Sequence, residues 1–283
     1  MKIRCDDPLD LDNTLESGQA FRWRRKNDWF YGVIFDNIIR LRAVPDGIEF
    51  YSMPSDESTI APMINHYFRL DDNLREIQQS ITTDEHIAQA IRLYPRMRLL
   101  RQDPWETLIS FIISANSNIP RITTNIEDIC KTLGNPLVMD KHVRSTFPNA
   151  EVMAKAGEDI LRQLGLGFRS KYIHAVAKII ATGDLDLFAL REVNYNQALG
   201  TLLDLPGVGD KVANCVLLFS LDKTDAFPVD VWIDRVIREL YFNKIDSAPS
   251  KTALRPWAQK RFGKYAGYAN HYLFHSRRLQ DKH

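Results

Sequence analysis

Cysteine is scarce in this 283-residue chain, and no two cysteines lie near each other in the sequence. Cys5, Cys130 and Cys215 are odd in number and form no Cys-x-x-Cys pair, which is typical of reduced thiols in an intracellular protein. The missing cysteine cluster argues against an iron–sulfur cluster or a structural zinc site. We therefore expect an intracellular protein, located in the cytoplasm or nucleoid, or in the nucleus of a eukaryote.

Long hydrophobic runs are also missing. Even residues 216–221 are far too short a stretch to cross a bilayer, and the N-terminus contains no signal-peptide core. A hydrophobic content of 45% and a charged content of 26% describe an ordinary soluble globular protein, long enough for two domains. We expect no membrane partner and a monomer.

Neither sign of charge dominates, because the net charge is only +1. The distribution is uneven, however: residues 1–80 carry a net charge of −4, whereas residues 251–283 carry a net charge of +7. Such an asymmetry indicates contact with a polyanion such as nucleic acid. A solvated basic terminal helix explains the same pattern equally well, and charge alone does not separate the two.

The first part of the chain alternates apolar and polar residues in a way that is typical of an antiparallel sheet. We predict strands at residues 21–24, 28–35, 37–44 and 48–52. A helix is expected near residues 58–68, and from Asp84 the period becomes helical and stays so to the C-terminus. The fold class is therefore α+β, with a small antiparallel β domain over residues 1–83 and a large α-helical region over residues 84–283.

The helical region contains many separate segments. We predict helices at residues 103–116, 120–133, 149–156, 158–164, 169–182, 194–203, 209–221, 230–241, 250–262 and 264–279. The first of these has all its start signals together: Asp103 as N-cap, Pro104 at the first helical position and Glu106 closing a capping box. Its interior is apolar nearly all round, which predicts a buried helix.

The segment LDLPGVGDKVANC, residues 203–215, combines a tight turn with a helix start. Pro206 sets φ in the turn, and Gly207 and Gly209 are expected to accept positive φ. The hairpin, residues 203–211, exposes backbone N–H groups beside the positive end of a helix, and both suit a phosphate group. Lys211 lies in the first turn of that helix, where the helix dipole mildly disfavours a lysine, so the position indicates chemistry rather than solvation.

Carbonyl groups of the same hairpin are expected to point away from its exposed N–H groups. We expect those of Leu203, Leu205 and Val208 to hold a structural monovalent cation that bridges to phosphate. Such a contact grips DNA without reading its bases. No other cofactor is expected to be required.

Asp230, in the segment FPVDVWIDRVI, stands where an N-cap would begin the next helix. A capping role alone explains that position. Lys211 and Asp230 both begin adjacent helices, however, so both are able to face one cleft. An amine among apolar neighbours in such a cleft is placed to act as a nucleophile.

LPGVGDKVANC followed by FPVDVWIDRVI resembles the helix-hairpin-helix (HhH-GPD) DNA glycosylase superfamily, in the branch that has both the lysine and the aspartate. Further segments are similar to the 8-oxoguanine DNA glycosylase/AP lyase family, in the same order: residues 15–24, 98–123, 164–173 and 265–274. The resemblance implies an N-terminal domain like the TATA-binding protein, packed on a helical bundle. It implies a DNA repair enzyme that excises 8-oxoguanine from double-stranded DNA, preferentially opposite cytosine, and cleaves the abasic site by β-elimination.

The resemblance also implies roles for single residues. Lys211 would form a Schiff base with the sugar, and Asp230 would stabilise positive charge on that sugar. Asn116 matches the residue that enters the space left by the flipped base. Arg121 and Arg169 match two arginines that read the orphaned cytosine, whose O2 and N3 accept hydrogen bonds. The family more often has a tyrosine where Phe168 would be the wedge beside that cytosine.

8-Oxoguanine differs from guanine chiefly by a hydrogen on N7, so discrimination requires one well-placed acceptor. Gly18 matches the glycine whose carbonyl accepts that hydrogen, and Cys215 and Phe274 match the pair that sandwiches the base. Two residues depart from the family pattern. Trp232 replaces a histidine near the phosphate, and Asn270 replaces a longer glutamine that reads the Watson–Crick edge.

Other interpretations remain open at this point. An alkylpurine DNA glycosylase has a similar N-terminal domain but uses water, and Lys211 argues against it. A non-catalytic HhH DNA-binding protein would need neither Asp230 nor the loop at residues 116–118. His271 and His275 have the spacing of a metal-binding pair, but no third ligand is evident, so we expect a solvated or DNA-facing helix there.

Overall fold

A computed structural model describes residues 1–5, 9–242 and 249–280, with the main chain alone at residue 280. Its N-terminal part contains a five-stranded antiparallel sheet with the strand order β1-β5-β4-β3-β2. The strands are β1 (Lys2–Arg4), β2 (Arg24–Lys26), β3 (Trp29–Ile34), β4 (Asn37–Val44) and β5 (Gly47–Met53). The α+β class predicted from the sequence is therefore confirmed.

The sheet forms because its strands alternate between two faces. In β4, Ile39 and Leu41 are fully buried, and Leu41 lies opposite Phe50 of β5. Arg40 and Arg42 point to the other face, where their guanidinium groups lie 5.2 and 4.6 Å from the Trp29 ring. The buried face packs against the helix Glu57–Tyr67, which lies close to the predicted range of 58–68.

Helices make up most of the remaining described chain. They are α1 (Leu11–Leu15), α2 (Glu57–Tyr67), α3 (Leu74–Ile81), α4 (Glu85–Leu93), α5 (Pro104–Ile113), α6 (Ile119–Leu133), α7 (Ala150–Leu161), α8 (Arg169–Ala181), α9 (Tyr195–Leu203), α10 (Asp210–Ser220), α11 (Val231–Tyr241), α12 (Lys251–Phe262) and α13 (Ala266–Gln280). α5 is buried from Thr107 to Ile113 and packs against α10, as its apolar sequence predicts. α7 is interrupted at Gly157, where φ is +79°, which agrees with the predicted break between two helices.

The strand predicted at residues 21–24 is wrong, because only Arg24 belongs to one. Phe21 packs in the core of the helical region, whereas Trp23 packs beneath the sheet, so this segment joins two cores. Between them Arg22 is buried and pairs with the Glu106 carboxylate at 3.1 Å. Glu106 therefore does not close the predicted capping box, although the Asp103 side chain does accept its backbone N–H at 2.8 Å.

The prediction that all structure after Asp84 is helical is also wrong. A two-stranded hairpin, β6 (Pro136–Met139) and β7 (His142–Ser145), interrupts the helices. Leu137 and Met139 are buried against Val33 and Ile38 of the sheet, so the hairpin covers part of the outer face of the sheet. The alternation of exposed and buried residues in β6 spans only four residues, which is too short to be recognised as a strand between long helical segments.

Candidate active site and DNA-facing loops

Lys211 is the second residue of α10, at the predicted helix start. Its ammonium donates a hydrogen bond to the Ser114 hydroxyl at 2.9 Å and lies 4.9 Å from the centre of the Phe111 ring. The Phe111 ring stacks in turn on Phe219 at 5.5 Å. α5 and the residue that follows it therefore position the amine. Sequence reasoning missed Ser114, which is 97 residues away in the chain and belongs to no recognisable motif with Lys211.

The hairpin before α10 adopts the turn that its glycine at 207 requires. Gly207 has φ of +78°, and a Cβ there would lie 2.6 Å from the Tyr172 ring, so a larger residue does not fit. Gly209 contradicts the expectation of positive φ, because it is the N-cap of α10 with φ of −100°. A Cβ at Gly209 would meet nothing within 4 Å, so this glycine leaves the helix start open to an incoming group.

The hairpin carbonyls differ in what they already bind. The Leu205 carbonyl accepts the Val208 N–H at 3.1 Å within the turn. In the described part of the chain, the carbonyls of Leu203 and Val208 accept no main-chain hydrogen bond from outside the helices. The carbonyls of Leu203 and Val208 are therefore less committed than that of Leu205, and the cation site stays a prediction.

Asp230 is the N-cap of α11, and its carboxylate accepts the Ile233 N–H at 2.8 Å. Cys215, one turn after Lys211 in α10, is only 3% exposed. Burial raises the pKa of its thiol to about 11, the Lys211 ammonium opposes that rise, and the Asp230 carboxylate adds to it. Because one buried thiol interacts with both charges, Lys211, Cys215 and Asp230 are brought together as predicted, while their chemical roles stay predictions.

The segment that contains Gly18 lies against α13. Gly18 has φ of +87°, and a Cβ there would lie 3.5 Å from the Phe274 ring and 3.3 Å from Ile119. The next residue, Gln19, is buried, and its amide group is hydrogen-bonded to the Arg98 carbonyl at 2.9 Å and to the Leu100 N–H at 2.8 Å. The Gly18 main chain is thus held beside Phe274, as the family resemblance implies, while its contact with a base stays a prediction.

Asn270 is also in α13, where it is 5% exposed. Its amide nitrogen donates to the Pro228 carbonyl at 2.9 Å, two residues before Asp230. Trp232, by contrast, is 42% exposed in the first turn of α11, with the Arg235 guanidinium 5.7 Å from its ring. Asn270 therefore lies inside the protein, bonded to the segment just before Asp230, whereas Trp232, two residues after Asp230, lies at the surface.

The two histidines of α13 correct an expectation. His271 and His275 are 3% and 2% exposed, so they face neither solvent nor DNA. His271 is hydrogen-bonded to the Ser17 hydroxyl at 2.9 Å and His275 to the Asn13 side chain at 2.8 Å, which ties α13 to the N-terminal part. Burial, together with the nearby His275 and Arg278, lowers the pKa of His271 to about 3. The described residues contain no metal-binding cluster of His, Cys, Asp or Glu.

The loop between α5 and α6 is exposed at Asn116, which has φ of +51°. Arg169 is buried beneath this loop and donates hydrogen bonds to three carbonyls. Its Nε donates to Ala115 at 2.9 Å and its Nη2 to Asn116 at 3.0 Å. Its Nη1 donates to Leu166 at 3.4 Å. Phe168 is 48% exposed, and Arg121 is exposed as well and repels Arg169 electrostatically. Asn116, Arg121, Phe168 and Arg169 are therefore neighbours, as predicted, although Arg169 already has protein partners.

The basic C-terminal segment is less available to a polyanion than its net charge indicates. Arg255 pairs with Asp210 at 3.0 Å, Arg261 with Asp84 at 2.7 Å and Arg277 with Glu239 at 2.9 Å. These ion pairs are internal to the protein, so the positive charge of this segment partly balances acidic residues elsewhere. Among the described helices, none has the length and apolar character that a bilayer-spanning segment needs.

Comparison with known proteins agrees with this arrangement. Residues 2–108 match the family model "8-oxoguanine DNA glycosylase, N-terminal domain", and residues 109–259 match "HhH-GPD superfamily base excision DNA repair protein". An N-glycosylase/DNA lyase of Arabidopsis thaliana is 31% identical over 94% of this chain and 76% of its own length. The N-glycosylase/DNA lyase of Saccharomyces cerevisiae is 30% identical over 94% of this chain and 82% of its own length.

A solved structure is similar over nearly the whole chain. It is the Clostridium acetobutylicum 8-oxoguanine glycosylase/lyase in complex with double-stranded DNA that contains cytosine opposite 8-oxoguanine. It superimposes with a TM-score of 0.91 at 29% identity, and the match covers 99% of this chain and 98% of that one.

Proposed function

The chain belongs to the 8-oxoguanine DNA glycosylase/lyase family, and on that basis we propose that it excises 8-oxoguanine from double-stranded DNA and then cleaves the abasic site. The observation that carries the proposal is the juxtaposition of Lys211 and Asp230 about the buried thiol of Cys215. All three residues come from α10 and α11 of one chain, so a monomer suffices. The substrate is cellular DNA, so we propose an intracellular site of action.

Lys211 is the nucleophile in this proposal. The ammonium first gives one proton to solvent, and the neutral amine then bonds to C1′ of the sugar while the damaged base leaves with the electron pair of the glycosidic bond and takes up the proton that the bonded nitrogen releases. Opening of the sugar ring gives a Schiff base between Lys211 and C1′. Loss of a proton from C2′ then expels the 3′ phosphate, which breaks the strand. The Ser114 hydroxyl, 2.9 Å from the lysine nitrogen, is a positioning residue that holds the amine before attack.

Asp230 supplies the electrostatic part of the reaction. Positive charge develops on the sugar as the base leaves, and a carboxylate fixed in place stabilises that charge without reorganisation. The hydrogen bond from the Ile233 N–H fixes one carboxylate oxygen. The N-cap geometry and the catalytic role are therefore compatible, because a carboxylate has further acceptor sites.

The hairpin grips the DNA strand beside the flipped nucleotide. Gly207 and Gly209 bring the main chain close to a phosphate at the positive end of α10. The carbonyls of Leu203 and Val208, with that of Leu205, have the hard oxygen donors that an alkali cation prefers, and a cation there would neutralise the phosphate. The lysine chemistry itself requires no cofactor.

Borohydride trapping tests the proposal directly. Borohydride reduces the Schiff base and links the protein covalently to a duplex that contains 8-oxoguanine opposite cytosine. We expect the wild-type chain to form this adduct and Lys211→Gln to bind the duplex without forming it. Lys251→Gln, which changes an exposed lysine at the start of α12, is the matched control and should trap normally. Trapping by Lys211→Gln would overturn the assignment.

A further inference from the structure

Arg278 is a side chain beside the proposed base pocket that the function described so far does not use. It lies one helical turn after Phe274 in α13, so the two side chains share a face of that helix. A Cβ on Gly18 would lie 2.9 Å from Nη1 of Arg278, compared with 3.5 Å from the Phe274 ring. The guanidinium therefore lies against the same glycine whose carbonyl is proposed to accept the N7 hydrogen of the damaged base.

The hydrogen-bonding capacity of Arg278 is only partly used. Nη2 donates to the Glu16 carbonyl at 2.5 Å. Nε and Nη1 are buried and have no hydrogen-bond partner among the described residues. Leaving a buried charged donor unpaired is costly, and Nη1, which lies beside Gly18, is the donor placed to meet a partner from outside the chain.

The flipped base requires donors that its other proposed neighbours supply poorly. 8-Oxoguanine buries two carbonyl oxygens, O6 and O8, on either side of N7–H. Gly18 offers a carbonyl, Phe274 offers no donor, and the Cys215 thiol is a weak one. Asn270 already gives one amide N–H to the Pro228 carbonyl at 2.9 Å. A buried O6 without a donor would weaken binding of the correct base.

We propose that Arg278 reads the flipped base by donating a hydrogen bond from Nη1 to O6, next to the Gly18 carbonyl that accepts N7–H. This inference rests on the proposed function. The pair of groups, one donor and one acceptor, is complementary to the O6 and N7–H pair of 8-oxoguanine. An adenine-type lesion has an amino group at position 6, so it presents a donor where Arg278 also presents a donor. Arg278 thereby selects guanine-type bases.

DNA-binding measurements on a catalytically inactive variant test the proposed role of Arg278. In a Lys211→Gln background we would measure Kd for duplexes that contain 8-oxoguanine or 8-oxoadenine opposite cytosine, with and without Arg278→Leu. A hydrogen bond from a charged group changes affinity by about tenfold to a hundredfold. We expect a loss of that size for 8-oxoguanine and no loss for 8-oxoadenine, with partial recovery in Arg278→Lys, which retains a donor. Arg277→Leu is the matched control, because Arg277 pairs with Glu239 instead.

A second measurement separates reading of the base from support of the fold. Strand cleavage at a preformed abasic site involves no base, so Arg278→Leu with Lys211 intact should cleave it at the wild-type rate. Equal weakening for both lesions would assign Arg278 to holding the Glu16–Gly18 segment and overturn the proposal, as would unchanged affinity for 8-oxoguanine. If the protein with Arg278 intact binds 8-oxoguanine no better than undamaged DNA, the proposed function itself fails.

Discussion

Asp230→Asn separates the helix-cap role that Asp230 has in this structure from the catalytic role proposed for it. Asparagine caps a helix about as well as aspartate, so the hydrogen bond to the Ile233 N–H is retained and stability should change by only a few tenths of a kcal/mol. The charge is lost, however. A unit charge about 4 Å from the developing positive charge, at an effective dielectric constant of about 20, contributes roughly 4 kcal/mol. We therefore expect base excision to slow by about a thousandfold.

Single-turnover kinetics provide the assay for Asp230→Asn. Excision is followed by alkaline cleavage of the products, which detects base loss whether or not the lyase step occurs. The melting temperature and the Kd for the same duplex are measured in parallel and should stay close to the wild-type values. A variant with a lowered melting temperature and normal excision would refute the reasoning, because Asp230 would then be a helix cap and nothing more.

Further predictions concern the residues around this centre. Arg121→Ala should reduce the preference for 8-oxoguanine opposite cytosine over adenine by about tenfold to a hundredfold, measured as single-turnover rates on duplexes with each opposite base. Ser114→Ala should slow borohydride trapping by about tenfold or more because the ammonium loses its acceptor, whereas Ser114→Thr should trap normally. His271 is neutral in the folded protein, with its pKa lowered from 6.5 to about 3, so the stability linked to it is complete above pH ~6.5 and is lost as the pH falls toward 3. Near pH 4.5 the loss should reach about 2 to 3 kcal/mol, and acid unfolding of His271→Gln should lack that contribution.

The sequence was sufficient for the parts of the site that depend on local geometry. Pro206 and Gly207 predicted a turn, the apolar pattern after Lys211 predicted a helix, and Asp230 was recognised as a cap, all within short segments. Caps and turns are decided by neighbours in the chain, so their signals are local. The resemblance then brought Gly18 and Phe274 together, which no local pattern could have done.

Contacts between distant segments were the part that sequence reasoning missed. Ser114 bonds to Lys211, and Arg22 uses the carboxylate of Glu106, because tertiary packing decided these partners. His271 and His275 were misread for the same reason: a polar pair on a basic helix is typical of a surface, yet Ser17 and Asn13 meet them inside the protein. A side chain whose partner lies far away in the chain has no signature in its own segment.

Arg169 holds the Asn116 loop and is also predicted to read the opposite base. A guanidinium has five N–H groups, and four of those in Arg169 already donate to the carbonyls of Ala115, Asn116 and Leu166. One N–H remains, whereas a bidentate contact with O2 and N3 of cytosine requires two. Arg169 must therefore release at least one of these carbonyls before it pairs with cytosine in this way. The longest of these bonds joins Nη1 to the Leu166 carbonyl at 3.4 Å, and the unused N–H is also on Nη1. We therefore expect the Leu166 bond to be released first, so that Nη1 pairs with cytosine while Nε and Nη2 keep holding the Asn116 loop.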